Sequence, residues 1–193
     1  SLKKSLGLLK YPALILFAVV LFFQCAFEGT SGNFTVQYLN HIGGMDNATA
    51  TLAMTWFTIG MLCGRLPLGN IMDKLKELGT LYLYLGVALA GVILFFIDAS
   101  GTVAVYTAMT LIGFGAGATF PVVLNFIGSA FRELSGTAFS IALFIGLCGQ
   151  SFGNKFMGMQ FDSASYTTLP VTLIVCVVVM VILVPLAVKV SKK

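Results

Sequence analysis

Charge is the first thing this sequence lacks. Only 9% of its 193 residues are Asp, Glu, Lys or Arg, and 58% are hydrophobic. A soluble domain carries about a quarter charged residues, so the composition excludes an ordinary water-exposed domain and points to an integral membrane protein. Histidine is scarcer still. His41 is the only one, at the edge of an apolar segment, with no His-Glu pair and no Ser-Gly elbow beside it. An intramembrane protease needs an activated serine or paired metal ligands, so enzyme chemistry of that kind is disfavoured, and no metal or cofactor site is read. The cysteines Cys25, Cys63, Cys148 and Cys176 are scattered through apolar segments without paired spacing. They read as small buried or lipid-facing residues, not as disulfides or metal ligands. A basic surface patch is absent too. The net charge is +4, but the basic residues lie at segment ends, which argues against a nucleic-acid partner. There is no initiator methionine and no signal-peptide pattern; the expectation is a fragment or a processed chain, with Ser1 a cloning remnant.

What is present is apolar length. A spanning helix needs about 20 mainly apolar residues. By that measure the sequence contains six spans, roughly 11–39, 49–72, 80–97, 102–127, 137–158 and 168–188. The turns between them are short, so consecutive helices are antiparallel neighbours in one bundle covering residues 1–193. An even number of spans puts both termini on one side. Lys3, Lys4, Lys10, Arg65, Lys74, Lys76, Arg132, Lys189, Lys192 and Lys193 all fall on that side, and only Lys155 lies toward the other, among His41, Asp46, Asp98 and Asp162. This segregation makes the termini cytoplasmic and the location a cell (inner) membrane. Gly113, Gly115 and Gly117 imitate a dinucleotide fingerprint, but no strand precedes them. The Gly60/Gly64, Gly113/Gly117 and Gly149/Gly153 pairs read as close-packing sites between helices.

The helices differ in character, and the difference repeats. The first, second, fourth and fifth carry glycines and polar side chains, whereas the third and sixth are almost wholly apolar. A helix apolar all round can face lipid; one with polar groups turns them toward protein or water. The pattern predicts a three-plus-three repeat, residues 11–97 and 102–188, with the first, second, fourth and fifth helices meeting a concave polar face.

One ionisable side chain, Glu28, lies near the middle of a span. An ionised carboxylate there costs several kcal/mol unless paired or hydrated. Gln24, Ser31 and Thr35 share its arc at helical spacing, while Asn33, Gln37 and Asn40 fall on nearly the opposite face. Gly29 and Gly32 between them allow a kink or local unwinding. The functional reading is a proton- or substrate-binding carboxylate in a water-filled cavity; the bland one is a protonated Glu that fixes packing. Asn125, Gln150 and Asn154 are the other amides within spans, and Gln150 and Asn154 share a face. They suit hydrogen bonds to sugar hydroxyls, with Trp56 or a phenylalanine as a stacking surface. Interhelical hydrogen bonding is the alternative for each.

The stretch GMLCGRLPLGNIMDKLKELG, residues 60–79, organises the chain. Asp73 and Lys74 follow Gly69 at +4 and +5, which resembles the loop between the second and third helices in each half of a major facilitator superfamily transporter. Lys76 stands where that pattern has a second glycine, and Glu77 where it has a basic residue. ELSGTAFSI (133–141) and the basic tail 189–193 are similar to the C-terminal half of such transporters, and GRLPLGNIMDK with FPVVLNFI resembles the fucose/glucose/galactose–proton symporter group. The resemblance implies half of that fold, an inverted repeat of three helices, with six further helices elsewhere. It implies a secondary active transporter for a small polar solute, a sugar among the candidates, coupled to protons, and not an enzyme. A drug–proton antiporter half is the rival, and a non-transporting six-helix structural protein the third reading. Gly69, Asp73, Lys74 and Arg65 would form a cytoplasmic gate. The partners implied are the solute, the proton, the lipid bilayer, and an N-terminal half or a second copy of the chain.

Overall fold

Six long helices account for most of residues 7–191, the part of the chain described in the computed structural model, and no strand occurs among them. Ser1, Lys3, Lys4, Lys192 and Lys193, used in the reading above, lie outside the described residues. The helices are α1 (Pro12–His41), α2 (Asn47–Arg65), α3 (Leu68–Ile97), α4 (Thr102–Ala130), α5 (Ser135–Asp162) and α6 (Thr168–Ser191). Their starts follow local chemistry. Pro12 opens α1, where its missing N–H costs nothing. Asp46 caps α2 by accepting the Ala48 and Thr49 amides at 3.0 and 3.1 Å. Hydrogen bonding by Thr49, and then by the Ala48 amide, holds the Asp46 carboxyl below the usual carboxylate range.

Two features differ from the sequence reading. Six spans were expected, but five helices are both long and apolar enough to cross a membrane, and α2 is not among them. The reason is its composition: Thr49, Thr51, Thr55 and Thr58 interrupt a helix of 19 residues. At about 1.5 Å per residue its length still approaches the thickness of a hydrocarbon core. The second difference is a boundary. The sequence reading carried this helix to residue 72, whereas α2 ends at Arg65 and the chain turns at Leu66 and Pro67. Proline cannot continue a helix from within but readily begins one. Asp73 and Lys74 therefore ride on a short exposed helical segment that opens α3, and a Cβ added at Gly69 there would meet nothing within 4 Å.

That segment ends at Lys76, whose φ of 58° and ψ of 173° break α3 in two. This backbone conformation belongs almost only to glycine, and position 76 is where the resembling pattern has one. The chain keeps a glycine's backbone under a lysine side chain. Relief of about 1–3 kcal/mol of strain, set against about 0.5–1 kcal/mol for glycine's greater freedom when unfolded, predicts that Lys76→Gly stabilises the protein by about 1 kcal/mol. A melting temperature in detergent that fails to rise would show that the lysine is not strained there.

The core is built by parallel pairs joined through glycine. α1 packs most extensively along α5, and α2 along α4. A Cβ at Gly149 would strike the carbonyl of Phe22, and one at Gly113 the carbonyl of Phe57. Gly60 and Gly64 lie as close to Thr110 and Phe114. α3 packs on α4 and α6 on α1, and α3 and α6 meet each other. α1 and α4 are thus central, α3 and α6 close one side, and α2 and α5 flank the other. At one end of the bundle the start of α1, the α4–α5 turn and the end of α6 gather around a common cleft. At the other end the His41 and Tyr166 rings stack at 4.2 Å, and Gly43 abuts the Ala99 carbonyl.

Candidate functional site

Glu28 stands midway along α1, half-buried, at the rim of a cavity of about 260 Å³. Cys25, Gly29, Gly32 and Asn33 complete the α1 wall; α2 contributes Phe57 and Met61, and α5 contributes Gln150. Two glycines make this possible. Gly32 leaves the wall open, and Gly29 lets Gln150 lie against α1, since a Cβ there would come within 2.6 Å of the Gln150 Cγ. The polar residues otherwise facing the bundle interior are sealed: Gln24 is 1% exposed, and Ser31 and Thr35 are fully buried.

Gln24 holds the carboxylate in place. Its Nε2 donates to Glu28 Oε1 at 2.7 Å and to the Ala116 carbonyl of α4 at 3.0 Å. Both amide hydrogens are used, so the side chain bridges α1 and α4 with Glu28 at its tip. A carboxylate accepts this bond, and a protonated carboxyl still has an oxygen to accept it. The pair therefore survives gain or loss of a proton. Ser31 Oγ and Thr35 Oγ1, further along the same stripe, have no hydrogen-bond partner.

A second polar link lies toward the terminal end. Pro121 inside α4 has no N–H, so the carbonyl of Gly117, four residues earlier, lacks its ordinary helical donor. Arg65, the last residue of α2, donates its Nε to that carbonyl at 3.3 Å while remaining solvent-exposed. Asp73 and Lys74 are exposed on the segment that follows.

The amides expected at the site separate in space. Asn33 lies nearly opposite Glu28 around α1, and both line the cavity, because the glycines between them present no side chains. α1 runs as one helix from Pro12 to His41, without the local unwinding that Gly29 and Gly32 allow. Gln37 and Asn40 lie further out; Gln37 is exposed, and Asn40 approaches Asn47 at 3.4 Å. Gln150 reaches the cavity, whereas Asn154 is half-buried one turn beyond, its Oδ1 without a partner. Trp56 does not line the cavity; it is 40% exposed and stacks on Tyr106 at 5.9 Å. Asn125 is exposed on α4 and also outside the lining. Cys25, Phe57 and Met61 were not singled out as site residues. Nothing in their types separates them from other apolar residues; only helix packing does.

A bundle of long apolar helices with one carboxylate and two amides at a mid-helix cavity suits a membrane transporter. The match to known proteins agrees: the family model of the Major Facilitator Superfamily covers residues 8–193, and the chain belongs to that superfamily of transporters. No curated protein and no solved structure matches it.

Proposed function

We propose that these six helices are the C-terminal half of a secondary active transporter that moves a small polar solute, a sugar among the candidates, with Glu28 as the proton-binding group. The observation that carries the reading is the cavity at mid-helix depth, whose lining includes a single carboxylate, Glu28, beside the amides of Asn33 and Gln150. Intramembrane ionisable residues mark substrate and proton routes by default. The volume of about 260 Å³ falls just under the several hundred Å³ usual for drug-sized ligands, which favours a small solute. Phe57, Met61 and Cys25 give the same cavity an apolar side, and that side is what keeps a drug–proton antiporter as the second reading.

The packing supports an inverted three-plus-three repeat. Exchanging α1 with α4, α2 with α5 and α3 with α6 turns the α1–α5 pair into the α4–α2 pair, and the α3–α4 pair into the α6–α1 pair. Each of these is among the most extensive contacts in the bundle. Such repeats place the solute site at the bilayer midplane, with one bundle rocking against another. The cavity lies between α1, α2 and α5, on the side α3 and α6 do not close, where a second bundle would complete it. The distribution of basic residues supports cytoplasmic termini in an inner membrane. Asp73 and Lys74, exposed at that end, suit a gate formed with the second bundle, and Gly69 and Arg65 complete the motif.

Uptake by proteoliposomes holding the complete transporter, under an imposed pH gradient, tests this. Neutral sugars and small organic cations are the solutes to offer. For whichever is taken up, Gln150→Ala and Asn33→Ala should each weaken apparent affinity by up to about tenfold, the worth of one hydrogen bond of about 1 kcal/mol or slightly more. Trp56→Ala and Asn125→Ala should change it little. The reverse ranking would move the site away from this cavity.

A further inference from the structure

One cation stands within reach of Glu28. Arg65 closes α2 one turn after Met61, which lines the Glu28 cavity. Its stem lies along Gly117 of α4, where an added Cβ would stand 2.9 Å from the Met61 carbonyl oxygen and 3.5 Å from the Arg65 Cγ. From that position Arg65 Nε donates to the Gly117 carbonyl at 3.3 Å. The preceding carbonyl, that of Ala116, accepts the Gln24 amide that also holds Glu28 Oε1. Carboxylate and guanidinium are therefore fastened to consecutive peptide groups of α4, and the Arg65 charge is near enough to act on Glu28. The other ionisable groups of the packed helices lie off this line. Cys25 shares the cavity, and α4 carries no Asp, Glu, Lys or Arg. Lys155 of α5 is exposed more than a turn beyond Gln150, and Lys189 lies in the last turn of α6. The thiols of Cys63 and Cys148 are exposed, and that of Cys176 is buried in α6.

Two acceptors thus compete for one guanidinium, and the proton on Glu28 decides between them. A neutral carboxyl attracts it weakly. The Gly117 carbonyl, deprived of its helical donor by Pro121, is then the better partner. An ionised carboxylate inside a span must be paired or hydrated, and it draws a cation more strongly than a neutral oxygen does. The guanidinium carries five N–H donors on a long flexible stem, so the exchange needs only side-chain rotation. We propose that Arg65 is the counter-ion of Glu28: it rests on the Gly117 carbonyl while Glu28 holds a proton, and swings to the carboxylate when that proton leaves for water. The role rests on Glu28 being the proton-binding group. Arg65 is then a positioning residue that sets the pH at which Glu28 gives up its proton. It also carries the protonation state to the end of α2, next to the exposed segment with Asp73 and Lys74.

Infrared difference spectra of the full chain in lipid, titrated with pH, read this directly, because the protonated-carboxyl band that Glu28→Gln removes belongs to Glu28. Arg65→Gln should move the midpoint of that band to higher pH by at least about one unit, since loss of a nearby cation makes the proton harder to lose. Arg65→Lys, which keeps a charge, should move it less. Pro121→Ala gives the Gly117 carbonyl a helical donor and frees the guanidinium. The midpoint should then fall by up to about 0.7 unit, the worth of one hydrogen bond. In the Arg65→Gln background the same proline replacement should have no effect. Arg132→Gln, which removes an exposed cation at the same end of the bundle, should leave the midpoint where it is. A midpoint indifferent to Arg65, or an equal Pro121 effect with and without Arg65, would overturn the pairing and leave Glu28 a proton site. If Glu28→Gln removes no titrating band, the pairing and the proton-binding role fail together. Should Arg65→Gln not yield folded protein, Arg65→Lys and Pro121→Ala decide the matter by the same ranking.

Discussion

Replacing Glu28 by Gln in the complete transporter is expected to preserve solute exchange and abolish accumulation driven by a pH gradient. Gln is nearly isosteric and keeps a carbonyl oxygen where Glu28 Oε1 accepts the Gln24 amide at 2.7 Å, so the bridge to the Ala116 carbonyl should persist. What is lost is the titratable proton, and no other carboxylate lines the cavity to supply it. Exchange requires only a solute site and alternating access, whereas accumulation requires that proton and solute move together. Driven uptake near wild type in the Gln variant would sink the coupling role. Failure of the variant to reach the membrane would instead identify Glu28 as a packing residue.

The largest effect on folding should come from the glycines that seat the parallel helix pairs. Gly149→Leu places its Cβ against the Phe22 carbonyl, and Gly113→Leu against the Phe57 carbonyl. Backbone cannot swing aside as a side chain can, so each pair must separate along its length. Overpacking a well-filled interior costs about 1–3 kcal/mol and sometimes more; here a whole leucine meets backbone, and the upper end or beyond is expected. Against a total stability of about 5–15 kcal/mol, either variant should lose most of its monodisperse peak on size exclusion in detergent. Gly86→Leu and Gly158→Leu, whose added Cβ would meet nothing within 4 Å, should elute like wild type. If all four behave alike, close glycine packing is not what holds α1 to α5 and α2 to α4.

Much of this fold could be read from the chain because a membrane span is a one-dimensional signal. Long apolar runs and a basic bias at alternate turns are visible without any knowledge of contacts, and α1, α4, α5 and α6 begin and end within a few residues of those runs, whereas α2 ends at Arg65 rather than 72 and α3 begins at Leu68 rather than 80. The boundary at α2 was misjudged because an apolar run, GMLCGRLPLGNIM, continues through the turn, while Pro67, the residue that begins the next helix, makes no mark on a hydropathy pattern. The departure at Lys76 was visible as a residue in an unexpected place. That the backbone there still has a glycine's φ required the structure.

The site divides in the same manner. Glu28 and Gln24 were legible because a carboxylate and an amide one turn apart are rare inside a span. Asn33, a candidate from the sequence, lines the cavity with Glu28 although the two lie far apart on the helical wheel, because Gly29 and Gly32 present no side chains between them. Trp56 attracted attention as an aromatic, but its ring lies against Tyr106. Arg65 looked like part of a charged turn; its bond to the Gly117 carbonyl depends on Pro121, two helices further along the chain, and on α2 lying beside α4. Relations of that kind belong to packing and leave no trace in spacing.

The central claim is that the space between α1, α2 and α5 is a solute cavity. Gly32 tests it directly, since it lines that space, is exposed, and has nothing within 4 Å of an added Cβ. Gly32→Cys, in a complete transporter whose native cysteines are replaced by serine, should react with a small water-soluble methanethiosulfonate. Saturating transported solute should slow that reaction markedly. A cysteine at position 32 that never reacts, or that reacts at the same rate with and without the solute, would contradict the account.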